Sequence, residues 1–409
     1  MRKKMLETNK ILEIAENVST PMYLFDLDAL NARIQTMKEI LGEQVTICYA
    51  MKANPFLVDA MRNNAPKYEV CSPGEFAICE REKVEMKHIV LSGVNKERAD
   101  IEHVMRDCGG VGTYTVESLS QFKLLQECAK QYKMTIQVLL RLTSGNQFGL
   151  DEEQVEELVK NRAEYPNMDI RGIQCYTGTQ KKKMSIIQGE LEWLDGFCDR
   201  LKEMYGFTAK ELEYGPGLSF HYFGQEAYEN DFEELKELSS YLEPLKSKYE
   251  ITLEMGRYIA AECGMFISTV ADVKTNHGQN YCIIDGGINH INYYGQTMAM
   301  KIPAFTWVKK DGTIVDGRSA NLSENEKCTI CGSLCTVGDV IVKNLPVGTV
   351  SEGDIVIFYN IGAYSVTEGI YLFLSRRMPA IAAYSEKDGI NIYRDILPTD
   401  TINSRVSVL

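Results

Sequence analysis

The chain is 409 residues long, 44% of them hydrophobic, and carries a formal net charge of −13. That size and apolar content suit two domains with a substantial core, while the acidic balance and scattered basic residues argue against nucleic acid or an anionic membrane as partner. No apolar run is long enough to span a bilayer, and Met1-Arg2-Lys3-Lys4-Met5 leads into Glu7, Thr8 and Asn9 rather than an apolar signal segment, so a cytoplasmic protein is expected.

In chain order, a strand-like run at 20–26 comes first. From about Asn31 to Gly256 short β-like runs alternate with longer amphipathic stretches. The runs fall at 45–50, 68–72, 88–92, 112–116, 136–142, 170–176, 211–214 and 251–254. Helical patterns fall at 73–81, 117–132, 152–160, 184–205 and 232–246. Ser72-Pro73 puts proline at a first helical position, and Asp151-Glu152-Glu153 loads a first turn with acid. Eight strands, each associated with a helix, point to an α/β fold, a closed (β/α)8 barrel of the TIM type; an open doubly wound sheet is the other solution to this pattern.

After about Gly264 the rhythm changes. Short β-branched and aromatic runs at 269–274, 281–284, 306–309, 327–330, 340–342, 354–359 and 380–384 are divided by Gly, Asn, Asp and Pro turns. This is the pattern of a second, all-β domain, a sandwich or barrel, which 20–26 is placed to join. The expected division is a barrel over 28–262 and a β-domain made of 1–27 with 263–409.

The twelve cysteines read as reduced thiols, and Cys48, Cys71, Cys175 and Cys282 sit in apolar runs as small hydrophobes. Cys328, Cys331 and Cys335 have spacing compatible with a metal, but a fourth ligand is not evident nearby, and no metal is expected there.

On a barrel, functional groups collect at the carboxyl ends of the strands. There stand Lys52, in Tyr49-Ala50-Met51-Lys52-Ala53-Asn54-Pro55, then Gly215-Pro216-Gly217, then Glu254-Met255-Gly256-Arg257. A lysine closing a buried strand conflicts with its own charge. A lowered pKa, with use as an amine nucleophile or Schiff base, resolves the conflict; so does a salt bridge or a snorkelling stem. Glycines after the seventh and eighth strands let backbone N–H groups approach a phosphate. With an acid to hold a pyridine nitrogen, these are the parts that hold pyridoxal phosphate.

Further segments fall in matching order: Phe25-Asp26-Leu27-Asp28, Glu69-Val70-Cys71-Ser72-Pro73-Gly74-Glu75, Gln147-Phe148-Gly149, Gly178-Thr179-Gln180, Cys335-Thr336-Val337-Gly338-Asp339 and Gly362-Ala363-Tyr364. With them the chain resembles, over essentially its whole length, the fold-type III pyridoxal-phosphate amino-acid decarboxylases. That group contains the diaminopimelate and ornithine decarboxylases and shares its barrel with alanine racemases. The resemblance implies loss of the α-carboxylate of an amino acid or amino-acid derivative, with Lys52 holding the cofactor and Glu254 paired with the ring nitrogen. It implies that Gly217, Gly256, Arg257 and Tyr364 hold the phosphate, with Gly178 and Gly215 on the same rim. Tyr176 stands where better-known members stack a histidine on the ring. It also implies a homodimer with shared sites, in which the partner subunit's Cys335 or the released Lys52 returns a proton to the α-carbon, and Phe148, Thr336 and Asp339 face the substrate.

Thr336 replaces the acid that grips a distal amine in diaminopimelate and ornithine decarboxylases, and 287–294 lacks the arginine that grips a distal carboxylate. An unpartnered distal charge costs several kcal/mol, which disfavours diaminopimelate. Cys175 to Gln180 together with Cys335-Thr336 are closest in pattern to the butirosin-pathway decarboxylases, which act on a glutamyl group attached to an acyl-carrier protein. Lys181-Lys182-Lys183 is the candidate basic patch near the rim for such a carrier, though a lysine triplet more often reads as a solvated loop or helix start. The other readings are a diamino-acid decarboxylase proper, a racemase of the same fold, or a non-catalytic relative. Glu254, in place of a racemase's arginine, argues against the second, and the retained Lys52 against the third.

Overall fold

The computed structural model describes residues 6–229, 231–319, 322 and 326–405. The chain divides into two compact units, one of Met1–Arg33, Phe220–Asp231 and Ile259–Leu409, the other of Ile34–Ser219 and Phe232–Tyr258. The segment Phe220–Asp231 lies inside the 28–262 range expected for the barrel yet groups with the other unit. Its Ala227 is buried in that unit's apolar core, and Asn360 Nδ2 donates to Ala227 O at 2.8 Å.

The described chain enters through helix α1 (Thr8–Val18), strand β1 (Met22–Asp26) and helix α2 (Leu27–Leu41). Eight strands follow: β2 (Val45–Ala50), β3 (Lys67–Val70), β4 (Ile89–Leu91), β5 (Thr113–Val116), β6 (Ile136–Leu142), β7 (Met168–Tyr176), β8 (Glu211–Gly215) and β9 (Glu250–Met255). All pair in parallel, and β2 pairs with β9, so the barrel is closed and the open-sheet alternative falls. Between the strands run α3 (Val58–Met61), α4 (Pro73–Arg81), α5 (Arg98–Arg106), α6 (Leu119–Gln131), α7 (Glu152–Lys160), α8 (Met184–Tyr205) and α9 (Glu233–Leu242), and α10 (Arg257–Ala260) follows the last strand.

The start and stop signals act as local chemistry requires. Ser72 Oγ accepts from Glu75 N at 3.2 Å with Pro73 next in line, and Asp151 N donates to the Gln154 side chain at 3.1 Å to open α7. Gly206, at φ +62°, closes α8 in the left-handed region.

The barrel interior is unusually polar at one level. Lys67 Nζ on β3 reaches Thr252 Oγ1 on β9 at 3.1 Å, and Gln174 Nε2 on β7 reaches Glu254 Oε2 on β9 at 2.9 Å. Neither pair of strands is hydrogen-bonded to the other, so both contacts cross the interior.

The other unit is built on a ten-stranded mixed sheet. Its strands after β1 are β10 (Gly264–Asn276), β11 (Gln279–Ile284), β12 (Phe305–Val308), β13 (Ile314–Asp316), β14 (Cys328–Cys331), β15 (Val340–Leu345), β16 (Ile355–Tyr359), β17 (Ala380–Ser385) and β18 (Gly389–Arg394). As its sequence suggests, β1 joins this sheet, antiparallel to β10 and parallel to β17. The long β10 pairs with β16 along its first half and with β11 beyond a bulge at Val270/Asp272, so the sheet branches there. The unit is not purely β. Helix α1 lays Ile11, Ile14 and Ala15 onto Met22, Leu24, Ile267, Ile357 and Ala382 of the sheet. No helix among the described residues is long and apolar enough to cross a membrane.

Candidate active site

Strand β2 ends at Ala50 and the backbone tightens into a short helical turn over Met51–Ala53, closed by Asn54 N donating to Met51 O at 3.0 Å; the Asn54 side chain accepts from Phe56 N at 3.1 Å and opens the next turn, Pro55–Leu57. That turn lifts Lys52 onto the rim, where its side chain is 43% exposed. The register Ala50↔Glu69 brings the neighbouring strand's carboxylate to it, and Lys52 Nζ lies 2.7 Å from Glu69 Oε2. Cys71 completes the group, its Sγ 3.8 Å from Nζ and 3.2 Å from Glu69 Oε1.

The surrounding protein alone would lower the Lys52 pKa, but the fields of Glu69, Cys71 and Glu254 outweigh it and hold the amine well above its ordinary value. Burial likewise opposes ionisation of Glu69, and the Lys52 ammonium overrides it, keeping the carboxylate charged. The depressed amine expected from sequence is therefore not what this rim produces. The salt-bridged alternative is the one observed.

Glu254 is buried inside the barrel, with Oε2 bonded to Gln174 and Oε1 without a donor among the described residues. Beside it on β8 stands Glu213, fully buried, neither of whose oxygens has a donor among the described residues. Burial pushes both carboxyls above the usual carboxylate range, Glu254 further because Glu69 and Glu213 add their fields while Lys52 opposes them. Ionising one carboxyl therefore disfavours ionising the other.

The loops after β7, β8 and β9 close around this centre. A Cβ on Gly217, whose φ is +60°, would lie 1.9 Å from Gly178 O, so only glycine lets these two loops touch. Lys181 N donates to Gly217 O at 2.9 Å and locks the contact. A Cβ at Gly215 would come within 2.5 Å of Tyr176 Cδ2, which places the tyrosine ring against the glycine. A Cβ at Gly256 would meet Ala53 Cβ at 2.8 Å and Ala50 O at 3.0 Å, next to the Lys52 turn. Arg257 opens α10. The fields of Lys52 and Arg257 both reach the Tyr176 hydroxyl, so these three residues share one neighbourhood.

Of the residues expected at the site, Lys52, Tyr176, Gly178, Gly215, Gly217, Glu254, Gly256 and Arg257 all belong to the barrel unit at the carboxyl ends of its strands. Phe148 covers the Arg141 guanidinium at 4.8 Å, and Arg141 is paired with buried Glu117 at 2.8 Å. Cys335, Thr336 and Asp339 lie together on the loop between β14 and β15, in the sheet unit. Cys335 and Thr336 are exposed, whereas Asp339 is buried, its two oxygens accepting from Ile288 N at 2.8 Å and Leu334 N at 2.7 Å. Its carboxylate braces the loop. Tyr364, with φ +68°, is in the same unit. Lys181 is also engaged, bonded to Glu190 at 2.6 Å, so the basic patch reduces to the exposed Lys182 and Lys183.

Sequence reasoning assigned no role to Glu69, Glu213 or Lys96. Lys96 Nζ donates to Gly93 O at 2.8 Å and Gln121 Oε1 at 3.2 Å, and burial pulls its pKa down to about 8. Strict alternation along Glu211-Leu212-Glu213-Tyr214 was a signal for Glu213, since residues two apart share a face.

A closed barrel with a lysine, a buried acid pair and glycine-lined loops on one rim defines an enzyme that binds an anionic cofactor through an amine. A family model described as the pyridoxal-binding domain of pyridoxal-dependent decarboxylases matches residues 27–261. The chain belongs to that family: it is a pyridoxal-phosphate-dependent carboxy-lyase. Among curated relatives, L-glutamyl-[BtrI acyl-carrier protein] decarboxylase of Niallia circulans is 25% identical over 398 residues, 91% of each chain. The 2-[(L-alanin-3-ylcarbamoyl)methyl]-2-hydroxybutanedioate decarboxylase of Staphylococcus aureus is 24% identical over 383 residues, 87% of this chain and 92% of that one. Among solved structures, diaminopimelate decarboxylase from Helicobacter pylori complexed with L-lysine matches with a TM-score of 0.82 at 21% identity, over 96% of this chain and 98% of that one.

The rim fits the cofactor on its own geometry. Glu254 presents a buried oxygen without a donor, as a ring nitrogen bearing a proton requires. A Cβ at Gly178 would meet nothing within 4 Å, so this glycine faces open space.

Proposed function

We propose that the substrate is an amino-acid derivative whose distal end carries no free charge, a glutamyl group joined to a carrier protein being the foremost candidate. The observation that carries this reading is the exposed Cys335-Thr336 pair, where a neutral threonine stands at the position that would grip a distal amine. The segment 287–294 supports it, offering no arginine for a distal carboxylate; its His290 is buried and kept neutral, with a pKa near 3. Lys182 and Lys183 are the exposed cations near the Gly178 loop that an acidic carrier would meet.

Pyridoxal phosphate, when bound, supplies an aldehyde for an amine and a ring that takes up the electron pair left as carbon dioxide departs. The residues do the rest. Lys52 must lose a proton before it can hold the cofactor, and Glu69, 2.7 Å away, is placed to accept it. Glu254, through its buried oxygen, would accept from the ring nitrogen and so favour that nitrogen's protonated form. Tyr176 would lie against the ring. Gly217, Gly256 and Arg257 would hold the phosphate through backbone N–H groups and a guanidinium. Lys52 or the partner subunit's Cys335 would return the proton to the α-carbon. Asp339 positions the loop that carries Cys335.

The test is carbon dioxide release across free lysine, ornithine, arginine, glutamate and meso-diaminopimelate, set against a carrier-linked L-glutamyl group. Release from the tethered substrate in preference to the free ones is expected. Equal or faster release from a free diamino acid would overturn the reading. In the same assay, Thr336→Glu is expected to raise kcat/KM for lysine and ornithine by about tenfold or more, because a distal ammonium gains a partner; an unchanged value would place specificity elsewhere.

A further inference from the structure

Outside the lysine site, the ends of α4 and α5 bring together three side chains that the decarboxylation does not use. Glu80 Oε1 lies 3.0 Å from His103 Nε2 and 3.5 Å from Cys108 Sγ, and Sγ lies 3.9 Å from Nε2. We propose that Glu80, His103 and Cys108 form a binding site for one divalent cation of the zinc type, with water as fourth ligand.

The distances set the case. A tetrahedral ion with metal–donor bonds of about 2.0–2.3 Å needs donor atoms about 3.3–3.7 Å apart. The three separations straddle that range, so moves of a few tenths of an ångström complete the shell. A carboxylate oxygen, an imidazole nitrogen and a thiol suit a borderline ion such as zinc or cobalt better than magnesium or calcium, which take oxygen donors. The ring is also held as ligating histidines are held. Asp107 Oδ2 sits 2.9 Å from His103 Nδ1, which leaves Nε2 to face Glu80 and Cys108. Arg106 in turn fixes Asp107, with Nε at 2.7 Å from Oδ1 and Nη2 at 2.8 Å from Oδ2. Phe76 meets the imidazole edge-on at 6.0 Å.

Glu80 and His103 also line an open cavity between α4 and α5, which gives the ion a path in and room for its water. Binding sends the Cys108 thiol proton, and any proton on His103 Nε2, into solvent. The bound ion ties α4 to α5 on the outside of the barrel.

The experiment uses the cofactor-loaded protein, freed of metal by a chelator and titrated with Co2+, whose tetrahedral thiolate complexes absorb in the visible beyond the cofactor band. The expected result is a visible band that saturates at one cobalt per chain and is displaced by Zn2+. Cys108→Ser and His103→Gln should each abolish it while carbon dioxide release and far-ultraviolet circular dichroism stay unchanged, and Asp107→Asn should weaken binding by about 10–100-fold. Cys335→Ala should leave the band intact, excluding the exposed thiol as ligand. A titration without a saturable band, or a band that survives both Cys108→Ser and His103→Gln, would overturn the proposal.

Discussion

An ammonium 2.7 Å from a buried carboxylate keeps its proton, and an amine that must attack an aldehyde has to lose it. On the proposed role of Lys52, Glu69 is the nearest carboxylate that raises the pH at which the amine would capture the cofactor. The sign follows from the charges. Glu69 raises the Lys52 pKa, so Glu69→Gln should lower it, and cofactor capture by the cofactor-free protein should begin at lower pH. Stopped-flow absorbance across pH measures this; an unshifted profile, or one moved to higher pH, would show that Glu69 does not control the amine. Lys52 was legible because a charged residue closes an apolar run, which is visible one residue at a time. Glu69 was not, because its proximity depends on the β2–β3 register, Ala50↔Glu69, which no single stretch of sequence encodes. Asp339 was placed near the substrate by its position close to Cys335; what no stretch of sequence shows is that both its oxygens accept from backbone N–H groups.

Among the elements, those with paired local signals were readable. Helices α4, α7 and α8 carry both periodic apolar positions and boundary chemistry, and they begin and end where the sequence suggests. Helix α5 was expected from the alternation but given no range, because it buries only Ile101, Val104 and Met105 amid charged neighbours. The edge strands β13 and β18 were missed because each pairs on one side only and β18 leaves much of its length to solvent. The glycine loops were readable as turns, but not as a pair of loops in contact. That contact makes a sharp prediction: Gly217→Ala drives a Cβ to 1.9 Å from Gly178 O and strains a left-handed backbone, so the loops must part. Cofactor affinity by equilibrium dialysis should fall by about tenfold or more, roughly 1.4 kcal/mol. Unchanged affinity would remove these loops from phosphate binding.

For the molecule as a whole, the switch from βα alternation to short β-branched runs near Gly264 located the second unit, while the capture of Phe220–Asp231 by that unit rests on the tertiary burial of Ala227 and left no local mark. The proposed homodimer with shared sites has a direct consequence. Lys52→Ala and Cys335→Ala, each inactive or slow alone, should regain about a quarter of wild-type activity when co-refolded, since half the dimers then hold one intact site of two. No recovery on mixing would mean that each chain completes its own site.

Everything turns on which lysine holds the cofactor, and a rival exists in Lys96, whose amine burial has already pulled down to about 8. The deciding measurement is borohydride reduction of the loaded protein followed by peptide mass mapping, alongside carbon dioxide release by Lys52→Ala. The cofactor mass should appear on the peptide containing Lys52, and Lys52→Ala should lose both the label and turnover. A label on Lys96, or turnover that survives Lys52→Ala, would contradict the assignment of this rim as the catalytic centre.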